Sequence, residues 1–248
     1  CLWNALRRLC GIRMKIFIVY DEREDIAYRV CEYSLRKHSS VPLDIEPIDY
    51  THPLMTRGWH RRGLDRIDNI DGRPFSTDFA FARFLMPEIM NYDGWALFMD
   101  CDFLVMADVA EVFVLANDAY AVQCVHHNFR PQSPIKMDGV QQTPYFRKCW
   151  SSFVLWNCAH NSNRILTAEE VNTWTGTQLH QFLWLDHSQI GELPEEWNWL
   201  EGHSSPSIKP NAIHYTEGGP WFPYRQNCHY AAEWLAERDE MLAKEAAA

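Results

Sequence analysis

LFMDCDFLVMADVAEVF, residues 97–113, is the stretch on which the reading of this chain turns. Two carboxylates, Asp100 and Asp102, stand one residue apart at the end of an apolar run, and the chain becomes apolar again at once. A charge pair inside a segment that otherwise buries its side chains needs a partner. The run before it, GWALFMD from Gly94 to Asp100, reads as a strand buried on both faces, the kind found in parallel sheets. Carboxylates at the end of such a strand project past its carboxyl edge, where open α/β sheets bind ligands. On a straight strand the side chains at i and i+2 point the same way. The pair can then share one oxygen-seeking cation, Mn²⁺ or Mg²⁺ in preference to Zn²⁺. Without a cation or protons between them, two carboxylates this close repel each other. The plainer alternative is a turn cap at Asp100 beside a solvated Asp102.

Working outward, MKIFIVY (14–20) is a second run of this buried type. DIAYRVCEYSLRKH (25–38) then carries Ile26, Val30, Tyr33 and Leu35 near helical spacing, and PLDIEPID (42–49) returns to extended character. A strand–helix–strand unit opens an α/β fold. Residues 51–74 are polar, basic and punctuated by Gly and Pro, which predicts a long loop. Its RGWHRR segment (57–62) reads as mobile surface, or as a lid over a diphosphate. STDFAFARFLMPEIM (76–90) is expected to be a helix, with Ser76 as N-cap and Asp78 in the first turn. AYAVQCV (119–125) and CWSSFVLWNC (149–158) read as further buried strands, and EWLAERDEMLAKEAAA (233–248) as an exposed terminal helix.

The totals bound the class. The chain has 248 residues and 47% hydrophobic content, enough for one sizeable core. No apolar run approaches the roughly 20 residues of a membrane span. A net charge of −10 argues against a nucleic-acid binder, since phosphate backbones select basic surfaces. Eight cysteines occur with no C-x-x-C pair, so a thiolate zinc site is not expected. They read as reduced, mostly buried residues of a cytoplasmic protein, with peripheral attachment at a membrane left open. The chain begins at Cys1 and not at Met, as expected of an excised domain or a trimmed chain, with other domains of a longer chain left open. CLWNALRRLCGIR (1–13) is too short and too arginine-rich for a secretory signal and serves as a lead-in. The expected organisation is that lead-in, a domain over 14–230, and a C-terminal helix or tail over 231–248.

A second anchor lies late in the chain. NAIHYTEGGPWF (211–222) presents His214 on a short extended segment, and Gly218, Gly219 and Pro220 permit a tight turn whose amides are able to face an anion. A lone histidine is usually structural. One that precedes a Gly-Gly turn, in a chain already carrying D-x-D, says more.

With these segments in place, the chain resembles the GT-A glycosyltransferases, most of all the family-8 type that includes glycogenin and bacterial galactosyltransferases. KIFIVYDERED (15–25) resembles the first strand and nucleotide-binding turn. FAFARFLMPEIM (79–90) with GWALFMDCDFLV (94–105) resembles the helix-then-D-x-D block. LPEEWNWL (193–200) resembles L-P-x-x-W-N, and HYTEGGPW (214–221) resembles H-x-x-G-x-x-K-P-W. The resemblance covers roughly residues 14–225. It implies an α/β, Rossmann-like GT-A fold of one domain, with a mostly parallel central sheet flanked by helices. By the same resemblance Asp100, Asp102 and His214 bind Mn²⁺ (or Mg²⁺), which binds the diphosphate of a nucleotide-sugar, usually UDP-linked. Tyr20 and Asp21 lie against the base, and Cys101, Gly218 and Gly219 belong to the donor-binding set. Arg83 reaches toward donor sugar and phosphates, and Gln181 stands near the reacting carbon. His180 replaces the aspartate of the family's D-Q pair. Ser151 and Ser152 stand where the family has N-A-G-V and are candidates to hold substrate hydroxyls. The family's lysine is absent from the Pro-Trp segment, with Lys209 or Arg225 as candidate substitutes.

The implied activity is hexosyl transfer from a nucleotide-sugar to a hydroxyl of a glycan or small acceptor, in polysaccharide biosynthesis. No protein nucleophile is evident, and the resemblance implies retention by same-face attack. Inversion with a carboxylate base such as Asp186 stays open. Two rival readings remain: a sugar nucleotidyltransferase, disfavoured because YDERED (20–25) lacks a glycine-rich loop, and a non-catalytic nucleotide-sugar-binding module. Of eleven tryptophans, Trp95, Trp156 and Trp184 read as core. Trp59 and Trp221 are candidates for a substrate wall, and His126 with His127 for an acceptor-side feature or a solvated turn.

Overall fold

The computed structural model describes residues 14–75, 77, 80–129 and 145–247. The lead-in 1–13, with Cys1 and Cys10, and the Ser76 and Asp78 of the expected helix start lie outside them.

Apolar β-branched runs form the centre. β1 (Met14–Val19) pairs in parallel with β2 (Leu43–Ile48), and α1 (Asp25–His38) connects them. Asp21 caps the 3₁₀ turn that leads into α1 by accepting from the Arg23 amide at 3.0 Å. Residues 59–75, expected as a loop, instead form a small antiparallel sheet of β3 (Trp59–Arg62), β4 (Asp65–Asp68) and β5 (Pro74–Phe75). Its inner strand buries Arg66, Ile67 and Asp68. Asp68 there forms an enclosed ion pair with Arg57, which also donates to the Trp174 carbonyl at 2.7 Å. Buried ion pairs are invisible to a composition reading, which takes such residues as solvated.

The single helix expected over 76–90 is also corrected. A 3₁₀ turn spans Ala82–Phe84, and among the described residues of this segment only Met86–Ile89 is α-helical, as α2. Pro87 sits in the first turn of α2, where its missing N–H is harmless; deeper inside a helix it would clash with the preceding turn.

β6 (Trp95–Met99) runs parallel to β1, and β7 (Phe103–Val105) leaves the main sheet after the D-C-D bend. α3 (Ala110–Val114), β8 (Val122–Cys124) and β9 (Phe153–Asn157) follow. Then come α4 (Ala168–Thr173), α5 (Gly176–His180), β10 (Ile190–Glu192), β11 (Trp199–Leu200), β12 (Ala212–His214) and α6 (Ala231–Ala246). The main sheet has the order β10-β8-β9-β6-β1-β2. Its β6–β1, β1–β2 and β10–β8 pairings are parallel, while β9 runs antiparallel to both neighbours. β11, β12 and β7 make a separate three-stranded sheet.

α6 is not the exposed appendage that was expected. Trp234 and Met241 bury against Val30, Leu104, Trp199 and Tyr215 in a second apolar cluster. Each such side chain contributes about 1.5–3 kcal/mol by burial. Lys37 of α1 bridges Glu237 at 2.8 Å and Glu240 at 2.6 Å across the seam. Of the described cysteines all six are free, with Cys31, Cys101, Cys124 and Cys158 buried. Among the described residues no helix is long and apolar enough to cross a membrane.

Candidate metal and donor site

Asp100 follows β6 and Asp102 precedes β7, so both stand in a bend and not on a straight strand. The bend is pinned from two sides. The Asp100 amide donates to the Ser152 carbonyl and the Tyr215 amide to the Asp102 carbonyl, both at 2.9 Å. The antiparallel register of β7 with β12 sets Phe103 opposite His214, and the two rings stack with centroids 4.4 Å apart. Side-chain ligand atoms of Asp100, Asp102 and His214 thereby fall within 4.8 Å of one another. The three residues foreseen as ligands meet, although strand pairing and a bend bring them together and not a shared strand face.

The donor set suits a hard divalent cation. It offers two carboxylates and an imidazole. His214 Nε2 lies 3.4 Å from Asp102 Oδ1, and the ring is 2% exposed. His214 Nδ1 is held 2.9 Å from Asn198 Oδ1. If the ring proton is spent on that bond, Nε2 turns a lone pair toward a carboxylate oxygen. Such a pairing calls for positive charge between the two.

Arg83, 5% exposed, brings positive charge from beside α2. Its Nη2 lies 2.9 Å from Asp100 Oδ1, its Nη1 donates to the Ser151 carbonyl at 2.7 Å, and its Nε donates to the Ala80 carbonyl at 3.1 Å. Arg83 therefore stands at Asp100, one of the three candidate ligands.

The serines behave otherwise than expected. Both are almost wholly buried, at 4% and 3% exposed, and their hydroxyls are engaged inside the protein. Ser151 Oγ lies 3.0 Å from His180 Nδ1, and Ser152 Oγ donates to the Cys149 carbonyl at 2.7 Å. Neither offers a free hydroxyl to a substrate. His180, at the end of α5, packs among Phe81, Phe84 and Tyr145. Burial, then Arg83, Lys148 and Arg57, holds its pKa well below the usual imidazole range. Gln181 follows it, half-buried; its carbonyl accepts from Arg147, and its carboxamide makes no hydrogen bond among the described residues. Arg147, Cys149 and Phe182 nearby have φ of 63°, 67° and 51°, a concentration of left-handed non-glycine backbone next to these side chains.

Tyr20 and Asp21 stand at the carboxyl end of β1. Tyr20 lines a cleft of about 360 Å³ together with Tyr28, Pro47, Ile48, His52 and Pro53. Asp21 is not part of that wall. Burial opposes its charge, but hydrogen bonds from Arg23 and the field of Arg66 hold its carboxyl below the usual range. Cys101 is buried between the aspartates, and burial keeps its thiol protonated.

The glycine turn faces inward. Gly218, at φ 92°, donates its amide to the Tyr215 carbonyl at 2.7 Å and accepts at its own carbonyl from Arg225 Nε at 3.1 Å. That amide closes a turn and is not presented to an anion. A Cβ on Gly219 would lie 2.0 Å from the Trp221 ring. Trp221 itself packs on Tyr215 and Trp234 and belongs to the second core cluster. Arg225, a candidate for the missing lysine, pairs with Glu201, and Lys209 is exposed. His126 stacks on Trp150 at 4.0 Å, while His127 lies near His214 and Asn198. Burial, with His214 acting in the same direction, pushes the His127 pKa down to about 3.

Two residues of this region went unremarked in the sequence. Asn198 lay within the quoted L-P-x-x-W-N match, but nothing about an amide predicts contact with a histidine sixteen positions away. Arg66 was hidden in the segment read as loop.

No protein-family model matches the chain. Protein CDI of Arabidopsis thaliana is 46% identical over 231 residues, which cover 91% of this chain and 86% of that protein. Among solved structures, the bifunctional glycosyltransferase WbbM superposes with TM-score 0.62 at 17% identity, covering 91% of this chain but only 49% of WbbM. The galactosyltransferase LgtC, in complex with donor and acceptor sugar analogs, superposes with TM-score 0.56 at 14% identity, covering 92% of this chain and 96% of that one. GlyE of Streptococcus pneumoniae gives TM-score 0.58 at 17% identity over 95% of this chain and 63% of its own. At these identities the likeness is one of fold, and the fold is GT-A.

Proposed function

Because the chain belongs to the family of Protein CDI and has the GT-A fold, we propose that it is a metal-dependent glycosyltransferase. The reaction is transfer of a hexosyl group from a UDP-sugar to a hydroxyl of a glycan or small acceptor, with retention. The observation that carries this reading is the convergence of Asp100, Asp102 and His214 at the carboxyl edge of β6.

Bound there, Mn²⁺ or Mg²⁺ would act as a Lewis acid for a leaving diphosphate. The chain's own residues supply the rest. Asp100 and Asp102 provide the negative charge that attracts the ion, and His214 the neutral third ligand. Arg83, buried against Asp100, adds fixed positive charge beside the developing negative charge without needing to reorganise. The cleft at Tyr20, past the end of β1, is of a size to take a nucleobase. The anomeric C–O bond to the diphosphate breaks, a bond to the acceptor oxygen forms, and the acceptor proton passes to the leaving diphosphate. Gln181 is assigned stabilisation of the sugar, since a carboxamide is a poor nucleophile. The free described thiols fit a reducing compartment, and the proposal places the activity in the cytoplasm.

The test is a panel of nucleotide-sugars assayed for donor hydrolysis and thermal stabilisation, with Mn²⁺ and with chelator. Turnover of a UDP-sugar only with metal supports the reading. Pyrophosphate release from a nucleoside triphosphate and a sugar phosphate shows a nucleotidyltransferase instead. Donor binding without turnover on any acceptor shows a binding module. Absence of metal-dependent donor binding ends the proposal.

A further inference from the structure

His214 needs one particular tautomer to serve as a ligand through Nε2: its proton must sit on Nδ1. Two atoms face Nδ1: the side-chain oxygen of Asn198 at 2.9 Å and, farther off, the Ser152 hydroxyl oxygen at 3.4 Å. Asn198 is 0% exposed, so the bond is shielded from bulk solvent. An amide is ambiguous by itself, because its oxygen and nitrogen are nearly isosteric. The surrounding bonds remove the ambiguity here. Ser152 has one hydroxyl proton and gives it to the Cys149 carbonyl at 2.7 Å. Its oxygen is then an acceptor for whatever amide atom faces it, and that atom, 3.0 Å away, must be Asn198 Nδ2. The same Nδ2 lies 3.5 Å from the Cys149 carbonyl, which accepts only. With the nitrogen directed to two acceptors, the amide oxygen is the atom left for His214.

We propose that Asn198, oriented by Ser152 and the Cys149 carbonyl, is a positioning residue that locks His214 in the Nδ1-protonated tautomer and so aims the Nε2 lone pair at the cation. The inference rests on the metal reading above, and it concerns the hydrogen-bonding chain behind the ligand and not the ligand itself. The Phe103 ring stacked on His214 fixes the ring plane, and Asn198 fixes which edge carries the proton. The arrangement couples three segments remote in sequence. Asn198 precedes β11, Ser152 precedes β9, and Ser152 also receives the Asp100 amide at its carbonyl. One serine thus holds the first carboxylate ligand through its backbone and the imidazole ligand, by way of Asn198, through its side chain. Partners of this kind behind a metal-binding histidine typically alter metal affinity by about 10–100-fold when removed.

The experiment uses Asn198→Ala, Asn198→Asp and Ser152→Ala. Two readouts are taken: Mn²⁺ dissociation constants from titration monitored by electron paramagnetic resonance, and the ¹⁵N signals of His214 in the metal-free protein. Asn198→Ala is expected to weaken Mn²⁺ binding by about 10–100-fold. Asn198→Asp retains an acceptor for the Nδ1 proton and is expected to stay closer to wild type than the alanine variant. Ser152→Ala, which alters little volume, is expected to give an intermediate loss with folding intact. In wild type the ¹⁵N signals are expected to show Nδ1 protonated and Nε2 bare. Equal Mn²⁺ affinity in wild type and Asn198→Ala overturns the proposal, because a purely structural residue would shift melting temperature alone. Wild-type signals showing the proton on Nε2 overturn it whatever the affinities. A wild type that binds no Mn²⁺ overturns the metal reading, and the ¹⁵N signals then still judge the tautomer lock on its own.

Discussion

Asp102→Asn separates the charge of the site from its shape. The bend that carries Asp102 is held by backbone, through Tyr215 N–H to the Asp102 carbonyl and Asp100 N–H to the Ser152 carbonyl, both 2.9 Å, so the variant is expected to fold as wild type does. What changes is one unit of negative charge in a donor set whose atoms lie within 4.8 Å. An amide offers the ion a neutral oxygen or, turned over, a pair of N–H groups that repel it. Since removing a supporting partner alone costs about 10–100-fold in metal affinity, loss of a ligand charge is expected to reach at least the upper end of that range. Turnover loses a contact that strengthens as charge develops, about 2.7–4 kcal/mol, or 10²–10³ in rate. The metal-free protein responds with the opposite sign. Asp102 Oδ1 stands 3.4 Å from His214 Nε2 and close to Asp100, so neutralising it relieves repulsion, and melting in chelator is expected at the wild-type temperature or higher. The assays are Mn²⁺ titration, melting curves with and without metal, and donor turnover. Wild-type Mn²⁺ affinity in Asp102→Asn would refute the assignment, and a variant destabilised in chelator would refute the claim of stored repulsion.

Gly219→Ala places a methyl group 2.0 Å from the Trp221 ring, which Tyr215 and Trp234 hold in place; overpacking of this kind costs about 1–3 kcal/mol and should appear as a lowered melting temperature. Asp68→Asn leaves the Arg57 guanidinium enclosed without its counter-ion and is expected to cost about 3–5 kcal/mol in denaturant unfolding, with earlier proteolysis in β3 and β4. Burial and the fields of Arg83, Lys148 and Arg57 hold His180 neutral far below its ordinary pKa, so between about pH 6.5 and that depressed value the unfolded chain binds a proton that the folded one refuses. Stability should therefore fall as pH drops below about 6.5, by at most about 1.4 kcal/mol per pH unit for this group, and the slope should flatten in His180→Asn.

Much of the fold was legible because it rests on local signals. The runs at β1 and β6, and the spacing of Ile26, Val30 and Leu35 in α1, are patterns that any chain must satisfy to bury those faces. What local pattern does not encode is direction or pairing. An apolar run buried on both faces looks the same parallel or antiparallel, so FVLWN of β9 gave no sign that it runs against β6 and β8. The small sheet of β3, β4 and β5 was hidden for a related reason. Its strands are full of charge, and the Arg57–Asp68 pair turns inward where Val171 and Trp174 offer carbonyls, and Phe81 a ring face, to the same guanidinium.

The site divides along the same line. Asp100, Asp102 and His214 were readable because each is a residue type with few uses in its setting: carboxylates inside an apolar segment, and a histidine before a glycine turn. Ser151, Ser152, Gly218 and Trp221 were misjudged for the opposite reason. The serines were taken as facing a substrate because they stand where the family has N-A-G-V, and Gly218 and Trp221 because they follow His214 in a glycine-rich turn; each turns out to be engaged inside the protein. The distinction has a physical basis. A cation is bound tightly only if its ligands cannot relax away from it, so a three-residue site must be surrounded by residues whose hydrogen bonds are already spent. Two serines with engaged hydroxyls, a glycine amide closing a turn and an asparagine with no exposed surface meet that requirement around the candidate site, which is why residue types that suit a substrate in a family pattern serve here as support.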